Sequence, residues 1–153
     1  VFISTQRTQG RPATTTFGGV TDGLSNTAMF SEIRRSLDVS IVRTARVSPW
    51  DVALDVPLGP NFTLVPANCG RNDANIRYTG LQYHRYFAVT SFYSHMRRPN
   101  ALEGDCSDLN GGVITARSAH TGGVNVCLCD GSVTFVRDSI DLTIWQALAS
   151  RSG

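Results

Sequence analysis

An α+β fold, mostly antiparallel β with long loops and a C-terminal helix packed on a β-hairpin, is what this 153-residue chain predicts. Three features lead there. Two β-rich runs, "GVNVCLC" and "SVTFV", meet at Asp130-Gly131, and "LTIWQALASR" follows them with helical spacing. The earlier apolar segments are short and separated by stretches rich in Gly, Pro and Asn. The length suits one domain, residues 1–153, able to bury a core without metals or crosslinks.

Taken in order, residues 1–19 read as a short strand, "VFIS", and then a polar loop. In "VTDGLSNTAMFSEI", Asp22-Gly23 signals a turn and "TAMFSEI" alternates like a half-buried strand. "DVSIVRTARV" reads as another strand, with Val39 and Ile41 on one face. Pro49 to Asn75 holds four of the six prolines and reads as an irregular surface excursion, anchored by Trp50, Phe62 and Leu64. The aromatic segment "GLQYHRYFAVTSFYSH", residues 80–95, suits either a strand or a short amphipathic helix, and "MRRPNALEGDCSDLNGG" returns to loop. Asp130-Gly131 then suits a type I′ turn, which needs positive φ at both positions. Asp141 is placed to N-cap the last helix, whose inner face would be Leu142, Trp145, Leu148 and Ala149, with Gly153 ending it.

Composition narrows the function. The net charge is +2 and the 14 basic residues, all Arg, are scattered apart from Arg34-Arg35 and Arg97-Arg98, so no nucleic-acid stripe is expected. No apolar run reaches the ~18 residues of a membrane span. The chain opens on Val1 rather than Met, as a processed or partial product would. Cys69 and Cys106 are candidates for a disulfide closing a polar loop, with a metal-thiolate site as the alternative. Cys127 and Cys129, two apart on a strand, would share one face, poorly placed to bridge each other, and read as buried free thiols.

The chemistry-bearing residues are few. His120, Asp130 and the thiols are metal-ligating types, but Asp130 suits a turn and His120 suits a hydrogen bond to loop backbone before Gly122-Gly123. The three histidines, His84, His95 and His120, form no HExxH, and there is no G-x-S-x-G elbow and no glycine-rich phosphate loop. The expectation is therefore no enzyme, no catalytic residue and no obligatory cofactor. Calcium is one candidate ligand, since "EGDCSDLNGG" gathers Asp105 and Asp108 with further oxygen donors, although a solvated turn explains the same residues. Tyr83, Tyr86, Phe87, Phe92 and Tyr93 form a candidate protein interface, divided between core and contact roles.

Three segments, "VTDGLSNTAMFSE" at 20–32, "GLQYHRYFAVTSFYSH" at 80–95 and the stretch from Ala116 to Gly153, carry a likeness. Together they resemble the C-terminal half of a planctomycete-type family of pseudopilin-like proteins of unassigned function. The H-x9-D-G signature of that family is matched by His120, Asp130 and Gly131. The resemblance implies a globular head, export to the cell surface, extracellular space or periplasm, and an oxidising compartment that favours the disulfide. It also implies a prepilin-type leader, an apolar helix and a first part of the head that this sequence does not contain, supplied by a missing N-terminal half or a separate chain. The expected role is a structural subunit of a pilin-like filament or envelope assembly, packing against other subunits, self or hetero. The alternative is an accessory binding module on a larger envelope complex. A third class is a metal-dependent hydrolase centred on His120 and Asp130.

Overall fold

The computed structural model describes residues 15–35, 42–43, 52–54, 69, 75–76, 79–80, 84, 88–107 and 112–152. In chain order the strands are β1 (Ala28–Ser31), β2 (Val42–Arg43), β3 (Val52–Leu54), β4 (Asn75–Ile76), β5 (Asp105–Ser107), β6 (Gly112–Val113), β7 (Gly123–Leu128) and β8 (Val133–Arg137). The helices are α1 (Ala88–Ser91) and α2 (Leu142–Ala147), with 3-10 turns at Phe17–Gly19 and Leu24–Asn26. The fold is α+β, and its strands form a three-stranded sheet, β1-β7-β8, and a five-stranded sheet, β2-β4-β3-β5-β6. Among the named strands pairing is antiparallel except between β3 and β5, which run parallel, and an isolated parallel bridge joins Ser94 to Thr115.

The three-stranded sheet is built around β7, whose Val124, Val126 and Leu128 are buried while Asn125 and Cys127 are half-buried. This period of two puts Val124 opposite Val136 of β8 and Leu128 opposite Ala28 of β1 on one face. Trp145, wholly buried, covers that face with Ala116, and Tyr93, Ile140, Leu142 and Leu148 pack at its margin. The helix is placed by Asp141, whose Oδ1 accepts from the Thr143 amide at 2.8 Å and the Ile144 amide at 3.4 Å. It ends at Ala147, earlier than the sequence suggested. Ala149 and Ser150 turn to 3-10 bonding, and the carbonyls that follow are used by β1 and the turn before it: Leu148 accepts from Ala28, and Arg151 from Thr21. Ala149 is consequently exposed, while Gly153 lies outside the described residues.

The hairpin turn differs from the expected two-residue type. Gly131 N–H donates to the Leu128 carbonyl and Leu128 N–H donates to Ser132, so Cys129-Asp130 occupy the centre of the turn and Gly131, at φ 86°, closes it as the bulge residue. Asp130 has no positive φ; Asn100 alone among the described non-glycine residues does. Cys129 thus belongs to the turn and not to the strand face of Cys127. It is buried because the loop docks on residues 24–27, where its amide donates to Thr27 and that of Asp130 to Leu24.

The five-stranded sheet uses strands of two or three residues and corrects the reading of the middle of the chain as an irregular excursion. β3 and β4 lie within Pro49–Asn75 or at its border and occupy the interior of the sheet. The expected anchors Trp50, Phe62 and Leu64, and the expected strand "VFIS", lie outside the described residues. Of "DVSIVRTARV", Val42–Arg43 is strand and Val39 and Ile41 are likewise outside. Cys69 and Cys106 form a disulfide, packed with Val113 into a second small cluster. Among the described residues no helix is long and apolar enough to cross a membrane.

Candidate functional site

The face of the three-stranded sheet that points away from Trp145 has no covering layer among the described residues. Phe30 is opposite Cys127, and Cys127 is opposite Val133, so the three side chains form a row across the sheet, with Phe135 beside it opposite Asn125. Phe30, Val133 and Phe135 are exposed, at 52%, 66% and 47%. The Phe135 ring lies over Gly123, where a Cβ would collide with the ring and with the Val136 carbonyl. Phe17, Leu102 and Ile144 are exposed elsewhere, but the residues of this row share one face of one sheet, and grouped apolar exposure is the mark of a contact surface. The sequence carried a sign of it. "SVTFV" places apolar side chains on both faces of β8, as in a strand covered on both sides.

The same face becomes polar at the other end. β1 pairing resumes after a register shift between Ala28 and Phe30 and runs to Ser31, where side chains extend it: Ser31 Oγ donates to the Asn125 carbonyl at 3.0 Å, and Glu32 Oε2 accepts from the Asn125 amide at 2.8 Å. His120 Nε2 lies 3.4 Å from Glu32 Oε1, and the His120 amide donates to Ser118 Oγ. Burial pushes Glu32 upward, but the Asn125 amide, Ser118 and His120 together hold its pKa below the usual carboxylate range. Glu32, Ser118 and His120, with Ile33, Arg34, Arg35, Arg117 and Ala119, line an open groove of about 400 Å³.

Beneath the groove lies a buried ion pair. Arg117 Nη2 donates to Asp105 Oδ1 at 2.9 Å and to the Glu103 carbonyl at 2.8 Å, and Nη1 donates to Ala101. Thr115 Oγ1 donates to the same Asp105 oxygen at 2.7 Å, and Arg97 Nη1 holds the Gly104 carbonyl at 2.7 Å. Burial pushes the Asp105 pKa up, opposed by Arg117 and Thr115. Asp105 sits on β5 and not in an open loop, and its carboxylate serves Arg117. Of the two residues named for calcium, Asp105 is thus in this ion pair and Asp108 lies outside the described residues.

His120 and Asp130 are not brought together. The six residues of β7 separate them, about 20 Å of strand, so they do not form one metal centre. Among the described residues no three His, Cys, Asp or Glu side chains gather in a way that would hold a metal. Asp130 Oδ1 accepts from the Ser132 amide at 2.9 Å and hydroxyl at 2.6 Å, bonds that lower its pKa.

Of the aromatic segment, Tyr83, Tyr86 and Phe87 lie outside the described residues, and Phe92 is half-buried. Tyr93 turns inward, 6.5 Å from Trp145 between ring centroids, which makes it part of the core rather than a contact residue. Its partner is a residue to which the sequence assigned no role: His95 stacks on Trp145 at 3.8 Å. His95 Nδ1 lies 2.5 Å from the Trp145 carbonyl, and Nε2 lies 3.3 Å from the Tyr93 hydroxyl. With Nδ1–H donating to that carbonyl, Nε2 accepts from Tyr93, which requires a neutral ring. Burial lowers the His95 pKa to about 4, against the pull of the Trp145 carbonyl, and burial raises that of the Tyr93 phenol.

Comparison with known proteins adds one finding. Residues 1–143 match the family described as "Protein of unknown function (DUF1559)". The chain belongs to that family. DUF1559 is a family of planctomycete-type pilin-like proteins, and the match takes in both sheets and the start of α2. It does not single out the spacing of His120, Asp130 and Gly131 as a family signature. No curated protein and no solved structure matches the chain.

Proposed function

We propose that this DUF1559 member is an exported, pilin-like structural subunit that acts by packing against other protein subunits and not by catalysis. The observation that carries the reading is the uncovered apolar row Phe30, Val133 and Phe135, on a sheet whose opposite face is sealed by Trp145. The Cys69–Cys106 disulfide supports an oxidising compartment outside the cytoplasm. Such a subunit lives in an assembly, and its working surface is the outer face of the three-stranded sheet. Electron microscopy of native material tests this: ordered filaments or discrete complexes containing the chain are expected, and dispersed monomers at every concentration would refute it.

A second reading, an accessory module on a larger envelope complex, draws on the groove lined by Glu32, Arg34, Arg35 and His120. Fixed stoichiometry with unrelated subunits in that native material would select it over self-assembly.

A further inference from the structure

We infer that β8 is a self-pairing edge, through which two copies of this chain join their three-stranded sheets into one. The inference rests on the assembly reading above and names the partner: a second copy, added antiparallel along β8.

The two edges of the sheet are treated differently. At the two ends of β1 an outward group is engaged: the Ala28 amide donates to Leu148, and just beyond the strand the Glu32 carbonyl accepts from Arg117. On β8 no such bond reaches Val133 or Phe135 among the described residues. The bonds from Leu128 to Ser132 and from Asp138 to Gly122 fix the phase of the β7·β8 ladder, so Thr134 and Val136 bond inward while Val133, Phe135 and Arg137 direct their backbone groups away from β7. The Arg137 carbonyl accepts from Ile140, but among the described residues nothing meets the amides and carbonyls of Val133 and Phe135. The devices that usually protect an edge are also missing. β8 has no Pro, no bulge and no inward charge, its one charge, Arg137, stands at its end, and Val133 to Val136 are strong strand formers.

The strand is complementary to itself. With Thr134 of one copy opposite Thr134 of the other, each Val133 faces a Phe135 and exchanges both backbone bonds with it. In that register Arg137 falls opposite Gly131 of the other copy, beside Asp130, so the charges at the two ends of the strand meet with opposite sign. A two-fold antiparallel pair keeps both apolar rows on one side, where they merge.

The test is sedimentation of the full chain over a wide concentration range, with three variants. Wild type is expected to self-associate. Val133→Pro, which removes an outward amide and leaves the ladder to β7 intact, and Val133→Lys, which adds an edge charge, are both expected to remain monomeric while melting as cooperatively as wild type. Thr134→Cys in a Cys127→Ser background is expected to yield a disulfide between the two introduced thiols. If Val133→Pro does not fold, Val133→Lys and the crosslink decide. Association undiminished in Val133→Lys, or absence of the crosslink, overturns the edge assignment while leaving the assembly reading intact. Wild-type monomer that binds only an unrelated subunit overturns self-pairing alone, and wild-type monomer with no partner in native material overturns both.

Discussion

The two sheets of this molecule are held together by opposite means. The three-stranded sheet has strands of four to six residues, a hairpin contiguous in sequence, and a face sealed by one Trp-bearing helix. The five-stranded sheet is assembled from strands of two or three residues, several far apart in the chain, with a parallel pair at its centre. Strands that short bury little apolar surface, and the second sheet carries what the first does without: a disulfide and a buried Asp105–Arg117 pair. One sheet is stabilised by packing and can leave a face open for contact, while the other depends on covalent and ionic links.

That contrast is breakable. The largest effect is expected at the seal of the first sheet: Trp145→Ala leaves a cavity under β7 and removes the surface on which His95 and Tyr93 rest, costing about 3–5 kcal/mol in chemical denaturation. Next is the staple of the second. Cys69 and Cys106 are 37 residues apart, and reduction or a paired Ser substitution is expected to lower stability by about 3–4 kcal/mol. Hydrogen exchange should then rise first at β5 and β6, with β7 still protected. Uniform loss of protection would show that the sheets are not separately stabilised.

A third effect is set by pH. The unfolded chain binds a proton at His95 near pH 6.5, and the folded chain only near pH 4, because burial disfavours the imidazolium. Stability is therefore complete above pH 6.5 and falls as pH drops from 6.5 towards 4, by on the order of 2–3 kcal/mol for this partly accessible ring. Glu32, Asp130 and Asp141, with lowered pKa values, keep their contribution above the ordinary carboxylate range and lose it only as pH falls through that range, so His95→Gln should flatten the profile between pH 6.5 and 4.5. An unchanged slope would show that His95 is not held neutral by its place on Trp145.

The smallest effect concerns the turn. Gly131→Ala forces a side chain into the left-handed region and is expected to cost about 1 kcal/mol. Asp130→Ala removes only exposed hydrogen bonds to Ser132 and should shift the melting temperature less. The reverse order would restore the type I′ turn.

What the sequence revealed follows the same division. The hairpin and the Asp141 cap were legible because each is encoded within a few adjacent residues, and the Cys69–Cys106 pair because an even count in a short chain limits the choices. The turn was misassigned by one position, since Asp-Gly serves a type I′ turn and a glycine bulge equally well and the choice depends on which carbonyl Gly131 bonds. β3 and β4 were illegible because two or three residues show no period, and their partners come from elsewhere in the chain. The His95 stack was hidden because it needs Trp145, fifty residues away. The contact face was half legible: "SVTFV" is apolar on both sides, but only the structure shows that one side is sealed and the other bare.

The most direct measurement is backbone hydrogen exchange at β8 in native material and in the isolated monomer. Amides of Val133 and Phe135 are predicted to exchange rapidly in the monomer and to be strongly protected in the assembly, with those of Thr134 and Val136 protected in both. Equal, rapid exchange of Val133 and Phe135 in the two states would contradict the account.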